Sequence, residues 1–220
     1  SARTEKESGT PLIVTLPNGA KLASLAYTYG LNDHPVPTGK PWSVNLIDVK
    51  KILAAAKRAK KDGADIVVLS LHWGTEYDHL ATPTQLIQAK QLLASPDVDL
   101  ILGDHAHVIQ PMQKVGDKWV IYCMGNLVAR HSQPIDDNRE GVLAKFTFTE
   151  VHPHVFRVSR AEAIPVWMQM EPDLRLIDLP RALADPATTP EQRAVYQNAR
   201  NKIAGYLDAY GAVQDGLVVQ

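Results

Sequence analysis

Apolar residues return every three or four positions at Val49, Ile52, Leu53, Ala56 and Ala59. That spacing predicts a helix with one buried stripe, and Lys50, Lys51, Lys57, Arg58, Lys60 and Lys61 fall largely off it. Those cations read as a solvated face, with an anion-binding patch as the alternative. Asn45 is the expected cap, with Asp48 three residues on. Ile66 to Leu71 is then an unbroken apolar run, as in a strand covered on both faces. Thr82-Pro83-Thr84-Gln85 reads as a capping box with proline at the first helical position. Its helix is expected to run to about Ser95 and to stop at Pro96. Val98 to Leu102 is a second buried strand. Helix, strand, helix, strand is the alternation of an α/β sheet with helical crossovers.

The flanks read differently. From Leu12, LIVTLPNGAKLASLAYTY predicts two strands joined at Asn18-Gly19, a hairpin signal in which both turn positions need positive φ. GLNDHPVPTGKPW is a Gly- and Pro-rich loop too long for a mere connector. After the second buried strand, VIQPMQKV and WVIYCMG predict a hairpin turning at Gly116-Asp117, and GVLAKFTFTE with VFRVSRAEAIPV another turning at His152-Pro153-His154. IPVWMQ and DLRLIDL suggest short further strands. Thr189-Pro190-Glu191-Gln192 is a second capping box, and Tyr196, Ala199, Ile203, Tyr206 and Tyr210 mark the buried side of a last helix, ended by Gly211. The division expected is one domain over 1–178 and a helical segment over 179–220 packed on it. No internal repeat or low-complexity stretch interrupts it.

Composition narrows the class without naming a function. The chain has 220 residues, 45% hydrophobic and 21% charged, with a formal net charge of -1. That is ordinary for a globular protein, and the near-neutral balance gives no support for nucleic acid as a partner. A single cysteine, Cys123, forms no internal disulfide and reads as core. No apolar run reaches membrane-spanning length and no signal peptide is present. The chain begins SARTEKESGT, so a fragment or processed product is expected.

The chemistry concentrates at two strand ends. Ligands of open α/β sheets gather at the carboxyl ends of strands. Ser70-Leu71-His72-Trp73-Gly74 closes one strand and Gly103-Asp104-His105-Ala106-His107 the other. If the strands are neighbours, three imidazoles converge on one rim, and imidazole binds zinc, iron and manganese. Gly103 is expected to allow a sharp turn, and the extended i, i+2 pair to point both rings to one side. Asp104 is placed to orient an imidazole. A lone histidine ending a strand is otherwise a hydrogen-bonded structural residue. His152-Pro153-His154 has the same spacing but reads as a solvated turn. Glu76 is a candidate general acid or base, or a surface glutamate; Trp73 and Tyr77 form an aromatic wall for substrate or simply pack. Asn126, after the apolar run, ligates a metal, holds an oxyanion or caps a turn. His34, His79 and His131 have no evident partner. There is no P-loop, dinucleotide-binding glycine pattern, nucleophile elbow or CxxC pair.

VVLSLHWGTEY, PTQLIQAKQLL, VDLILGDHAHVIQPM and WVIYCMGNLVA together resemble the bacterial capsule-synthesis CapA family, linked to poly-γ-glutamate production. AYTYGLN and the Pro-rich loop after it look similar, and the resemblance covers roughly Leu22 to Phe148. The family is similar to calcineurin-like metallophosphoesterases, which implies part of a four-layer α/β/β/α sandwich, a mixed sheet with antiparallel C-terminal hairpins. The resemblance implies divalent metal ions (Mn, Fe or Zn) at His72, His105 and His107, with His105 and His107 in the place of a G-H-x-H pair. Asp104 departs from it, since many relatives would carry histidine there. The Asp-x-His, G-D-x-x-D and G-N-H/E ligands of such enzymes are absent, so the chain looks like a C-terminal portion whose missing N-terminal half comes from elsewhere.

Two functions follow as expectations. One is a metal-dependent hydrolase of an anionic polymer or phosphoester, with Asp104 and Glu76 assisting and Trp73 and Asn126 at the substrate. The other is a non-catalytic accessory subunit for polymerisation, export or anchoring of an anionic polymer, with membrane synthase subunits as partners. In it the lysines of the first helix and Arg130 hold carboxylates. The resemblance places the parent protein at the extracellular face, bound to membrane or cell wall.

Overall fold

Parallel strands carry the middle of the chain because helices return the chain between them and the central runs are apolar on both faces. In the computed structural model, which describes residues 2–8, 10–129 and 136–220, β2 (Lys21–Thr28), β3 (Ile66–His72), β4 (Leu100–Asp104) and β6 (Lys118–Met124) run parallel. β1 (Leu12–Thr15) and β5 (Ile109–Val115) pair antiparallel at the two edges, giving the order β1-β2-β3-β4-β6-β5. A second sheet holds β7 (Glu140–His152), β8 (Val155–Gln169) and the short β9 (Arg175–Asp178) and β10 (Leu217–Val219). The α/β fold with antiparallel C-terminal hairpins is therefore present. α1 (Glu5–Ser8) precedes the sheets.

Helices α2 (Val49–Lys61) and α3 (Pro83–Leu93) cover one face of the first sheet, where Ile52, Ala56, Leu69, Leu71, Leu92 and Ile101 are buried together. Its other face meets the second sheet and α5 (Pro190–Asp208) around Leu100, Ile109, Met112, Ile121, Val142 and Ile203. α4 (Leu179–Ala184) leads into α5, and both pack on β8. Tyr196, Ala199, Ile203 and Leu207 of α5 thus belong to the core shared by both sheets.

Local signals decide the ends of these elements. Thr82 and Thr189 form the two capping boxes with Gln85 and Gln192. Thr82→Ala is expected to lower stability by about 1 kcal/mol, read as a shift of the urea midpoint at constant slope. The cap of α2 is Asp48, whose carboxylate accepts from Lys51 N. Asn45 does not cap it: its amide donates to Ala26 O, because residues 45–47 lie against β2. At Asn18-Gly19 only Gly19 has positive φ (88°), within a loop closed by Gly19 N to Leu16 O, so the turn is longer than the two-residue form expected. At Gly116-Asp117 the two-residue turn is present, with positive φ at Gly116.

Candidate functional site

β3 and β4 are neighbours in register, with His72 opposite Asp104 at their carboxyl ends. Paired residues of adjacent strands project from the same face. The Asp104 carboxylate accordingly meets His72 Nδ1 at 2.8 Å, with both side chains about half exposed. The chain beyond Asp104 then leaves the sheet through two left-handed residues, His105 (φ 107°) and His107 (φ 59°). This differs from the extended turn expected. Gly103 is not the pivot either: it sits inside β4, where its missing side chain makes room for Tyr122 O and the Trp73 indole. Non-glycine residues with such backbone angles carry strain of order 1–3 kcal/mol each and persist where neighbours hold them. Tyr77 N donates to Ala106 O at 2.8 Å and pins the turn. Ala106, Val108 and Cys123 pack below it. Cys123 is buried as expected, and burial pushes its thiol up to about 11.

The imidazoles come together. The ring centroids of His72 and His105 are 4.5 Å apart and those of His105 and His107 6.3 Å. His107 Nδ1 lies 3.1 Å from Asn126 Oδ1. The Asn126 amide is oriented by its own Nδ2, which donates to Asn138 O, so Oδ1 is the atom that accepts from His107. His72 and His107 are thereby both held as Nδ1–H tautomers by a side-chain oxygen. In that tautomer the lone pair sits on Nε2, the form in which imidazole binds a divalent ion. Burial and the neighbouring His72 hold the His105 imidazole below its ordinary pKa, with the Glu76 charge acting against them. A neutral imidazole is the ligating form. Neutral imidazole nitrogens are a donor type that binds Mn, Fe and Zn. Among the described residues, no group of three or more His, Cys, Asp or Glu side chains is placed so that it could hold a metal ion.

Other candidates separate. Trp73 is buried to 2% exposure and donates Nε1–H to Tyr122 O, so most of it packs in the core, beside a groove it shares with Tyr29 and Gln85. Tyr77 is 43% exposed and stacks on His107. Glu76 is exposed beside the imidazoles. Asn126 is buried and braces His107 rather than facing solvent. His154 Nδ1, from the far hairpin, lies 2.9 Å from the buried Asp65 carboxylate. Arg130 and His131 lie outside the described residues.

Two participants escape sequence reasoning. Tyr29, one residue past β2, places its ring 4.6 Å from that of His105 and 6.0 Å from that of His72. The signal was available: it ends the strand next to β3. His79 has partners after all. It bonds Ile109 O and Asp137, stacks on Tyr206 at 3.7 Å, and Asp137 and Glu140 both meet Lys202 of α5. Burial raises the Asp137 pKa, but its hydrogen bond and ion pair with Lys202, and then His79, more than offset that and leave it lowered. A carboxylate with a lowered folded pKa adds stability above its unfolded pKa and loses it as pH falls through the folded value. Asp137→Asn is therefore expected to reduce stability at neutral pH and to flatten its fall below pH ~4, measured by urea unfolding across pH.

A profile of the family described as bacterial capsule synthesis protein PGA_cap matches residues 1–131. The chain belongs to that family. The family match begins further upstream than the Leu22 to Phe148 resemblance and takes in the strand ends that carry His72, His105 and His107. The chain is similar to the capsule biosynthesis protein CapA of Bacillus anthracis, at 33% identity over 114 residues, 50% of this chain and 28% of that protein. It is similar to the PGA biosynthesis protein CapA of Bacillus subtilis (strain 168), at 31% over 111 residues, 50% of this chain and 29% of that one. These matches therefore span less than a third of either relative. Among solved structures, the calcineurin-like phosphoesterase YfkN of Bacillus subtilis aligns with a TM-score of 0.43 at 11% identity, over 90% of this chain and 57% of that one. No helix among the described residues is long and apolar enough to cross a membrane.

Proposed function

We propose that this part of a capsule-synthesis family protein supplies the histidine side of a divalent-metal hydrolase site acting on a cell-surface anionic polymer or phosphoester. The observation that carries it is the paired bracing: His72 by Asp104 and His107 by Asn126, on either side of His105. His72, His105 and His107 would hold the ion. When bound, it supplies Lewis acidity towards water and a phosphoryl or acyl centre. Asp104 and Asn126 keep the rings in the ligating tautomer, and Glu76 is an exposed carboxylate whose charge acts on the His105 ring, the candidate to take or give a proton. The names of the relatives support the setting, capsule and PGA biosynthesis, and with it a place at the extracellular face in the parent protein.

A second reading has an observation of its own. The Tyr29 ring packs against both His72 and His105, and no complete cage exists among the described residues. That favours an accessory role in handling the polymer without turnover. Membrane synthase subunits and the remainder of the parent protein are the partners of either reading. The full parent protein is the material for the test. Metal content is measured with and without His105→Ala, and hydrolysis is assayed on phosphodiester and γ-glutamyl substrates. Stoichiometric metal lost in the variant, with turnover lost alongside it, is the expected result. Intact parent that holds no metal and turns over neither substrate leaves the accessory role.

A further inference from the structure

β2 is covered on one face and bare on the other. Ala23 and Leu25 are buried in the core beneath α2, whereas Ser24 and Ala26 stand exposed and Leu22 is partly covered. β1 continues the bare face. Leu12 and Val14 pair with Ser24 and Leu22, so they project to the same side, at 66% and 47% exposure. Strands in the parallel part of a sheet are ordinarily covered on both faces. The second sheet supplies that cover further in and stops short of β1 and β2. Its outermost strand is β7, which among the described residues has a strand neighbour on one side alone, β8. An isolated bridge from Gly125 to Gly141 ties down the start of its other edge. From Val142 to Thr147 the β7–β8 register is even, before it shifts at Thr147/Phe148. Between Phe146 and Phe148 of β7 and Leu22, Val68 and Leu102 of the first sheet, a gap of about 470 Å³ remains. None of the described residues lining it is charged.

We propose that this bare face is an interface whose occupant is a β-strand from the remainder of the parent protein. The strand adds to the free edge of β7 along Val142–Thr147 and lays its inward side chains over β1 and β2. A free strand edge is a template for one more strand. Stacked sheets lie about 10 Å apart, which leaves room between them for one layer of side chains. The uncharged lining selects apolar residues at every second position of the added strand and disfavours a polyanion. Relatives carry chain enough to supply it. The matched part is 28% and 29% of the two CapA proteins, so more than two thirds of each lies beyond the match. A second copy of this chain does not fit. Pairing two β7 edges about a two-fold axis brings the overhanging β1 and β2 of both copies into the same layer, where they collide. The proposal does not rest on a bound metal.

Hydrogen exchange of the full parent protein and of this chain alone tests the proposal. In the chain alone about half the amides over Val142–Thr147, those turned away from β8, are expected to exchange fast. In the parent the same amides are expected to slow by roughly tenfold or more. Hydroxyl-radical labelling of Leu12 and Val14 is expected to fall with them. Val14→Lys is expected to lower the thermal midpoint of the parent, whereas Val195→Lys, at an equally exposed position on α5, leaves it unchanged. The parent's own exchange decides even where the isolated chain does not fold: slow amides across the stretch support the added strand, and fast ones overturn it. Equal midpoint losses for Val14→Lys and Val195→Lys also overturn it. So does concentration-dependent association of the chain alone that slows these amides, since the occupant is then a second copy. No reading involves metal, so failure of the metal-site reading and failure of this one are separate results.

Discussion

Gly103→Ala is expected to lower stability by about 3 kcal/mol or more, the largest effect of any single methyl near the imidazoles. An added Cβ there lies 2.0 Å from Tyr122 O and 2.6 Å from Trp73 Nε1, in the space of the 3.0 Å bond between those two groups. Neither side can retreat. Tyr122 O belongs to β6, the strand after β4 in the sheet, and the Trp73 indole is fully enclosed. The substitution also bears on chemistry, since Trp73 directly follows His72 and Gly103 precedes Asp104. Urea unfolding reads the loss, and a change below about 1 kcal/mol would mean that the β4–β6 contact is looser than described.

The second large effect concerns the groups that hold the rings. Asp104→Ala and Asn126→Ala are each expected to weaken divalent-metal affinity by about 10–100-fold while leaving all three histidines in place. Asp104 bonds His72 from a half-exposed position, so its removal leaves no buried unpaired group behind. Asn126 is buried and also holds Asn138 O, so its removal lowers stability as well. Titration calorimetry with Zn2+ and Mn2+, beside thermal unfolding, separates these outcomes. Unchanged affinity in Asp104→Ala would make the His72 pair a structural ion pair and nothing more.

Much of this was legible in the sequence because the signals are local. Periodic apolar positions in α2 and the continuous runs of β3 and β4 follow from what each residue must bury, and the capping boxes at Thr82 and Thr189 close within four residues. The adjacency of β3 and β4, and hence the meeting of His72 with Asp104, follows from the helical crossover between them. What escaped depends on contacts distant in the chain. Asn45 is a good cap by type, but β2 takes its amide first. Trp73 reads equally as wall or core until Gly103, thirty residues on, leaves the space it fills. Asn126 offers three roles in sequence, and only the turn at His107 selects one. The left-handed backbone of His105 and His107 is only faintly signalled by residue type, since histidine is enriched at positive φ but such residues remain a few per cent of the total. His79 finds Asp137 and Tyr206 only because α5 folds back along β5.

The account depends on two imidazoles held with the proton on Nδ1 and the lone pair on Nε2. Long-range 1H–15N spectra of the histidine rings, taken above their ordinary pKa and repeated as Zn2+ is added, read this directly. The account predicts Nδ1–H tautomers for His72 and His107, with their Nε2 resonances and that of a His105 ring nitrogen moving together to saturation at one equivalent of metal. Nε2–H tautomers for either braced ring, or resonances that stay in place as metal is added, would contradict it.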